Sequence, residues 1–230
     1  LEDALFGCSQ HRLHIVQFQD IPLRLHIDRP DKVGIDRLLA AYAAAALCEQ
    51  RPLIVIEAGS AVTVDLLCAP LERESHASDS HAPDSRSPES RSPESRSPES
   101  RSPESGLDAF EGGAIVPGMP MILRLLGGSA EQLPKIEAGE LIDLPPLPGK
   151  NTETAMWCGA ASALVGGVQH LVDRYRTELG QQVPVILSGG DGPRLATHLQ
   201  EPLLVVPHLV HQGLLRLAGR LVGSYGSRPQ

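Results

Sequence analysis

Along residues 11–27, HRLHIVQFQDIPLRLHI, apolar and polar positions alternate on either side of Ile21-Pro22, which predicts two short strands with a break. The period then changes. Residues 38–49, LLAAYAAAALCE, are strong helix formers, and Gly34 and Asp36 stand at the start of the helix they predict. Residues 53–57, LIVIE, form a short β-branched run, AGSA follows as a turn, and the strand pattern resumes from Val62 to Leu67, so this stretch predicts a hairpin. Phe110 opens F-E-G-G-A-I-V-P-G-M-P, a strand with glycines on entry and Pro-Gly on exit. Helices are predicted over 119–126 and 152–179, with a Pro-rich loop over 131–150 between them. The run VPVIL, 183–187, reads as a buried strand leading into S-G-G-D; a helix from Pro193, a strand over 203–206 and an amphipathic helix over 210–222 complete the pattern. Strands alternating with helices predict an α/β fold, with a mixed or parallel sheet covered on both faces.

One segment breaks the pattern. Ser-Arg-Ser-Pro-Glu occurs four times in tandem from Ser85 to Glu104, with nothing apolar to bury and Pro at every fifth position. Residues 71–108 therefore read as a disordered insertion, neutral in function. They hold nine acids and five Arg, which accounts for half of the net charge of -8. The remainder is mildly acidic and has no basic stripe, which argues against nucleic acid as a partner. Cys8, Cys48, Cys68 and Cys158 show neither CxxC nor regular spacing, so reduced thiols of a cytoplasmic protein are expected, not a disulfide framework or a zinc site. The nine His are scattered and read as structural, and no apolar run of membrane-spanning length is evident, so no membrane association is expected.

Three motifs could carry chemistry. In E-A-G-S-A-V-T, Glu57–Thr63, small residues let the backbone approach a bound anion, Ser60 and Thr63 add hydroxyls, and Glu57 could hold a cation; a tight hairpin turn explains the same residues. In S-G-G-D, 188–191, a glycine pair between strand and helix permits close approach of a flat or phosphorylated ligand, and also simple packing. In V-G-I-D-R, 33–37, Asp36 is either a helix N-cap or a general base. The helix dipole favours its negative charge, and Arg37 beside it could hold an anionic group of a substrate or a transferring phosphoryl.

Taken in order, V-G-I-D-R, L-I-V-I-E-A-G-S-A-V-T-V-D, F-E-G-G-A-I-V-P-G, K-N-T-E-T-A and V-I-L-S-G-G-D resemble the series found in type III pantothenate kinases, from Pro30 to His208 apart from the repeat. The resemblance implies an actin-like fold of two RNase-H-like domains with ATP between them, and transfer of the γ-phosphate to pantothenate in the first step toward coenzyme A. It implies that Asp36 accepts the proton and that Gly34, Ile35, Asp36, Arg37 and Thr152 line the pantothenate site. It also implies that Gly59 and Ser60 contact ATP phosphates, and that Gly189 and Gly190 sit beside its base or ribose. Glu57 stands where the family has an Asp that binds a monovalent cation, potassium or ammonium; magnesium accompanies ATP, and a homodimer is implied.

The family opens with a phosphate-binding turn of the form D-x-G-N-T, and no such motif precedes Val33. The expectation is a first domain represented only by a remnant, residues 1–50, with residues 51–230 as the second domain. Either coding sequence upstream of Leu1 supplies the turn, or the chain is a non-catalytic, regulatory relative. A sugar or acetate kinase of the same superfamily is the third reading; V-G-I-D-R directly before an Ala-rich helix favours pantothenate.

Overall fold

The computed structural model describes residues 14–70, 107–130, 132–136, 145–200 and 203–225. Helices α1 (Ile35–Leu47), α2 (Met119–Ser129), α3 (Thr152–Leu179), α4 (Gly192–Ala196) and α5 (Leu209–Tyr225) surround one sheet. Its strands are β1 (Arg24–Leu25), β2 (Leu53–Ala58), β3 (Ala61–Cys68), β4 (Ala109–Pro117), β5 (Val185–Ser188) and β6 (Leu203–Val205), in the order β1-β4-β3-β2-β5-β6. β2, β3 and β4 form an antiparallel meander; β5 and β6 continue from β2 in parallel.

The central strands show why the sheet is covered twice. Side chains alternate across a strand. Ile54 and Ile56 of β2 and Val185 and Leu187 of β5 enter one core with α2, α3 and α4. Leu53 and Val55 of β2 and Ile186 of β5 enter the other with α1 and α5. Both faces being apolar, LIVI reads as a continuous run. α1 is buried from Leu38 to Ala44 because it lies between sheet and α5. Gly213 permits that closeness: a Cβ there would collide with the Leu39 carbonyl. Gly213→Ala gains about 1 kcal/mol of helix propensity but overpacks backbone against backbone. A net loss of about 1–3 kcal/mol is expected in denaturant unfolding.

Of the two strands expected over 11–27, the described residues, from His14 on, form only the two-residue β1. Asp20 accepts hydrogen bonds from the Gln17 N–H (2.8 Å) and pairs with His14 (2.9 Å), which winds Phe18–Asp20 into a 3-10 turn. Only Arg24–Leu25 pairs with β4, at the sheet edge. β1 joins the sheet and α1 packs on it, sharing a core with Leu53, Val55 and Phe110 of the strands beyond residue 50. The Ser-Arg-Ser-Pro-Glu repeat lies outside the described residues. One helix does reach membrane-spanning length, contrary to the sequence reading: α3, with mean hydropathy 1.2 over its most apolar stretch. Its apolar side, including Leu164, Val168 and Val172, is buried on the sheet, so its hydropathy is that of a core helix.

α3 is well delimited. Asn151 caps its start, accepting from the Thr154 N–H at 2.8 Å, and Gly180 ends it in the left-handed conformation (φ 64°). At the end of α1, Arg51 reaches the Cys48 and Ala45 carbonyls (2.5 and 3.1 Å) and forks onto Asp108, just before β4 (3.0 and 2.6 Å).

Candidate functional site

The carboxyl ends of β2 and β5 and the start of α1 meet at one cleft of about 340 Å³. Asp36, Arg37, Glu57, Gly59, Ser60, Gly189 and Gly190 all line it, together with Thr63. Residues separated by more than 150 positions are thus gathered where an open α/β sheet offers a ligand crevice. A second, more apolar hollow of about 380 Å³ adjoins it and shares Glu57, Gly189 and Gly190; Pro193, His208 and His211 form its far wall.

The two small-residue turns are laced together. The Asp191 N–H donates to the Ala58 carbonyl (3.1 Å), and the Gly118 N–H to the Ser60 carbonyl (3.1 Å). Gly189 has φ 93°, and a Cβ on it would strike the Ala58 backbone, so both the conformation and the close approach require glycine. The Gly59 N–H is spent on the Ala61 carbonyl (3.1 Å), and Ser60 beside it is exposed, so its hydroxyl is open to a ligand. Ser188 is buried, and its hydroxyl accepts from the Leu209 N–H (3.2 Å), tying β5 to the start of α5.

Gly34, not Asp36, is the N-cap of α1. Asp36 lies in the first turn, where its Oδ1 accepts the Arg37 N–H at 2.9 Å, and a Cβ on Gly34 would collide with that oxygen. Arg37 is less free than the sequence suggests: its Nε (3.1 Å) and Nη2 donate to the two carboxylate oxygens of Asp65, and its guanidinium lies 5.6 Å from the Phe110 ring centre. Burial raises the Asp65 carboxyl above its ordinary range even though Arg37 pulls it down, and the bond to Asp65 raises Arg37. Asp65 had no role in the sequence reading beyond its place in a motif. As one polar residue of a strand, it gave no sign of a partner 28 positions away.

Burial raises Glu57 as well; the Ser188 hydroxyl lowers it, and the carboxylates of Asp36 and Asp65 add to the rise. Glu57 Oε1 and Thr63 Oγ1 are both buried without a hydrogen-bond partner. Two orphaned oxygens beside further carboxylates suit a cation. Among the described residues no group of three His, Cys, Asp or Glu side chains forms a metal site. A weakly held monovalent ion fits this donor set better than zinc does. Gly34 and Ile35 precede the cleft residues on α1 without lining it, and Thr152 lies exposed at the start of α3, apart from it.

These features define an α/β protein with a ligand cleft at the carboxyl edge of a mixed sheet. The sequence profile of the type III pantothenate kinase family matches residues 1–72 and 105–174, and the chain belongs to that family. It is 30% identical over 221 residues to a type III pantothenate kinase of Rhodopirellula baltica, covering 94% of this chain and 65% of the relative. The corresponding protein of Chromobacterium violaceum is 30% identical over 217 residues, with 94% and 73% covered. The chain thus spans about two thirds of the length of these relatives. A crystal structure from Campylobacter jejuni, described as a Baf family transcriptional activator, shares the fold at TM-score 0.50 and 17% identity, over 97% of this chain and 79% of that one.

Proposed function

We propose that this protein transfers the γ-phosphate of ATP to the hydroxyl of pantothenate, giving 4′-phosphopantothenate in the first step of coenzyme A biosynthesis. The observation that carries the reading is the convergence of Asp36, Arg37, Glu57, Ser60 and the Gly189-Gly190 pair on one cleft, in a chain of this family. Asp36 takes the proton from the attacking hydroxyl. Ser60 contacts the phosphates. Gly189 and Gly190 leave room for ribose and base, which extend into the adjoining hollow. Glu57 and Thr63 hold potassium or ammonium. Three carboxylates against one guanidinium leave the surroundings of the cleft negative, so a polyanionic nucleotide enters with its cations; magnesium, when bound, neutralises charge on the phosphate oxygens.

The two-domain arrangement belongs to the same reading. Residues 51–230 hold the second RNase-H-like domain, and the part of residues 1–50 that packs on it leads from the first. Thr152, exposed and away from its own cleft, completes the pantothenate pocket of a second subunit in a homodimer. The enzyme is cytoplasmic and needs neither nucleic acid nor membrane.

The test is phosphoryl transfer by the purified protein with ATP, magnesium and potassium, offered pantothenate, acetate or a sugar in parallel. Phosphopantothenate as the product is expected. A folded sample that binds ATP without phosphorylating pantothenate would overturn the reading in favour of a non-catalytic relative. The cation site has its own check. Glu57→Gln removes a charge that burial disfavours, so at neutral pH without potassium the variant is expected to melt a few degrees above the parent. Added potassium should then raise the melting temperature of the parent and leave that of the variant unmoved, because only the parent gains the free energy of ion binding. An equal potassium shift in both would remove Glu57 from the site.

A further inference from the structure

We infer that Asp65 is a positioning residue for this reaction: it fixes the Arg37 guanidinium in the wall of the cleft, beside Asp36. The inference rests on the kinase reading above. Three separate motifs meet at this pair. Arg37 comes from V-G-I-D-R in α1, and Asp65 from the second half of the hairpin. Gly113, from F-E-G-G-A, is Asp65's neighbour across the β3–β4 ladder. A Cβ on Gly113 would collide with the Val64 carbonyl and with the Asp65 carboxylate itself, so the glycine makes the space that the carboxylate occupies. The ladder shifts register immediately after Asp65. The same strand brings Phe110 under the guanidinium.

The result is an arginine tied down by a carboxylate and a ring. Its fork is engaged on both carboxylate oxygens and one face is covered by a ring, which leaves Nη1 as the nitrogen not spent on Asp65. Fastening α1 to the sheet would not by itself call for a charge in this place: Leu38 and Leu39 already do so with apolar contact. Asp65 is 2% exposed, and burying a carboxylate is costly. A bidentate pair next to Asp36 gives what apolar contact cannot, a guanidinium held at a set distance from the proton acceptor.

The experiment is a double-mutant cycle in the full protein with Asp65→Asn, which keeps the shape, and Arg37→Lys, which keeps the charge but loses the fork. Thermal melts come first, to establish that each variant is folded. Each single variant is expected to lower kcat/KM for pantothenate about tenfold or more, with the KM for ATP changed less than about twofold. The double variant should be no worse than the poorer single one, since both remove the same geometry. Folded Asp65→Asn with kcat/KM within about twofold of the parent, or losses that multiply in the double variant, would overturn the positioning role while leaving the kinase reading intact. A parent protein that transfers nothing to pantothenate overturns the kinase reading, and the positioning role falls with it. Because the parent is assayed separately, the two failures are told apart.

Discussion

Replacing Asp36 by asparagine is expected to lower phosphoryl transfer about 10²–10⁴-fold while ATP binding stays within about twofold of the parent. The substitution is informative because the carboxylate has two jobs that can be separated. Its Oδ1 accepts the Arg37 N–H in the first turn of α1, and the amide oxygen of Asn can accept the same bond, so the helix start should survive. What Asn cannot do is take a proton from an attacking alcohol. The nucleotide contacts assigned to Ser60, Gly189 and Gly190 come from the far side of the cleft and are untouched. Single-turnover transfer to pantothenate, with calorimetric ATP binding alongside, measures both halves; turnover near that of the parent would remove Asp36 from the chemistry.

The largest effect on stability is expected at Arg51, away from the cleft. Arg51→Ala should cost about 3–5 kcal/mol in denaturant unfolding, because removing one partner strands the other. The side chain is 9% exposed and satisfies Asp108 together with the backbone carbonyls of Ala45, in the last turn of α1, and Cys48, just past its end. Arg174 and Glu178 make a useful contrast. Both are 61% exposed on α3, and breaking that pair should cost no more than about 0.5 kcal/mol. Similar losses at the two places would show that burial is not what gives the Arg51 pair its weight.

The sequence displays the parts of this protein that depend on local chemistry. The hairpin was legible because a β-branched run, a small-residue turn and a second alternating run lie side by side. α3 was legible over its whole length, 152–179, while its Asn151 cap and its stop at Gly180 emerge from the structure. The cleft residues could be named because short motifs, each ambiguous alone, follow one another in the order seen in the family. What could not be read was pairing across distance. Nothing in T-V-D announces that Asp65 will hold Arg37. The glycines of F-E-G-G-A showed only that a strand begins there, since the carboxylate for which Gly113 leaves space is on another strand. Among the described residues the alternation over 11–27 yields only β1, because an edge segment with one neighbour gains little from a ladder. Asp20 then offers a local alternative, caught between the Gln17 N–H and His14.

Cys68 and Ala109 are cross-strand partners, so the two ends of the segment that joins β3 to β4 are held side by side. The turn that faces the ligand, at Gly59 and Ser60, is at the other end of β3, about 25 Å away at the rise of an extended strand. Closing a longer excursion between fixed ends costs only about 0.6 kcal/mol for each doubling of its length. The pairing therefore fixes only the two ends of the joining segment, which makes this junction, remote from the ligand turn, a ready port for splicing in a reporter or an affinity handle.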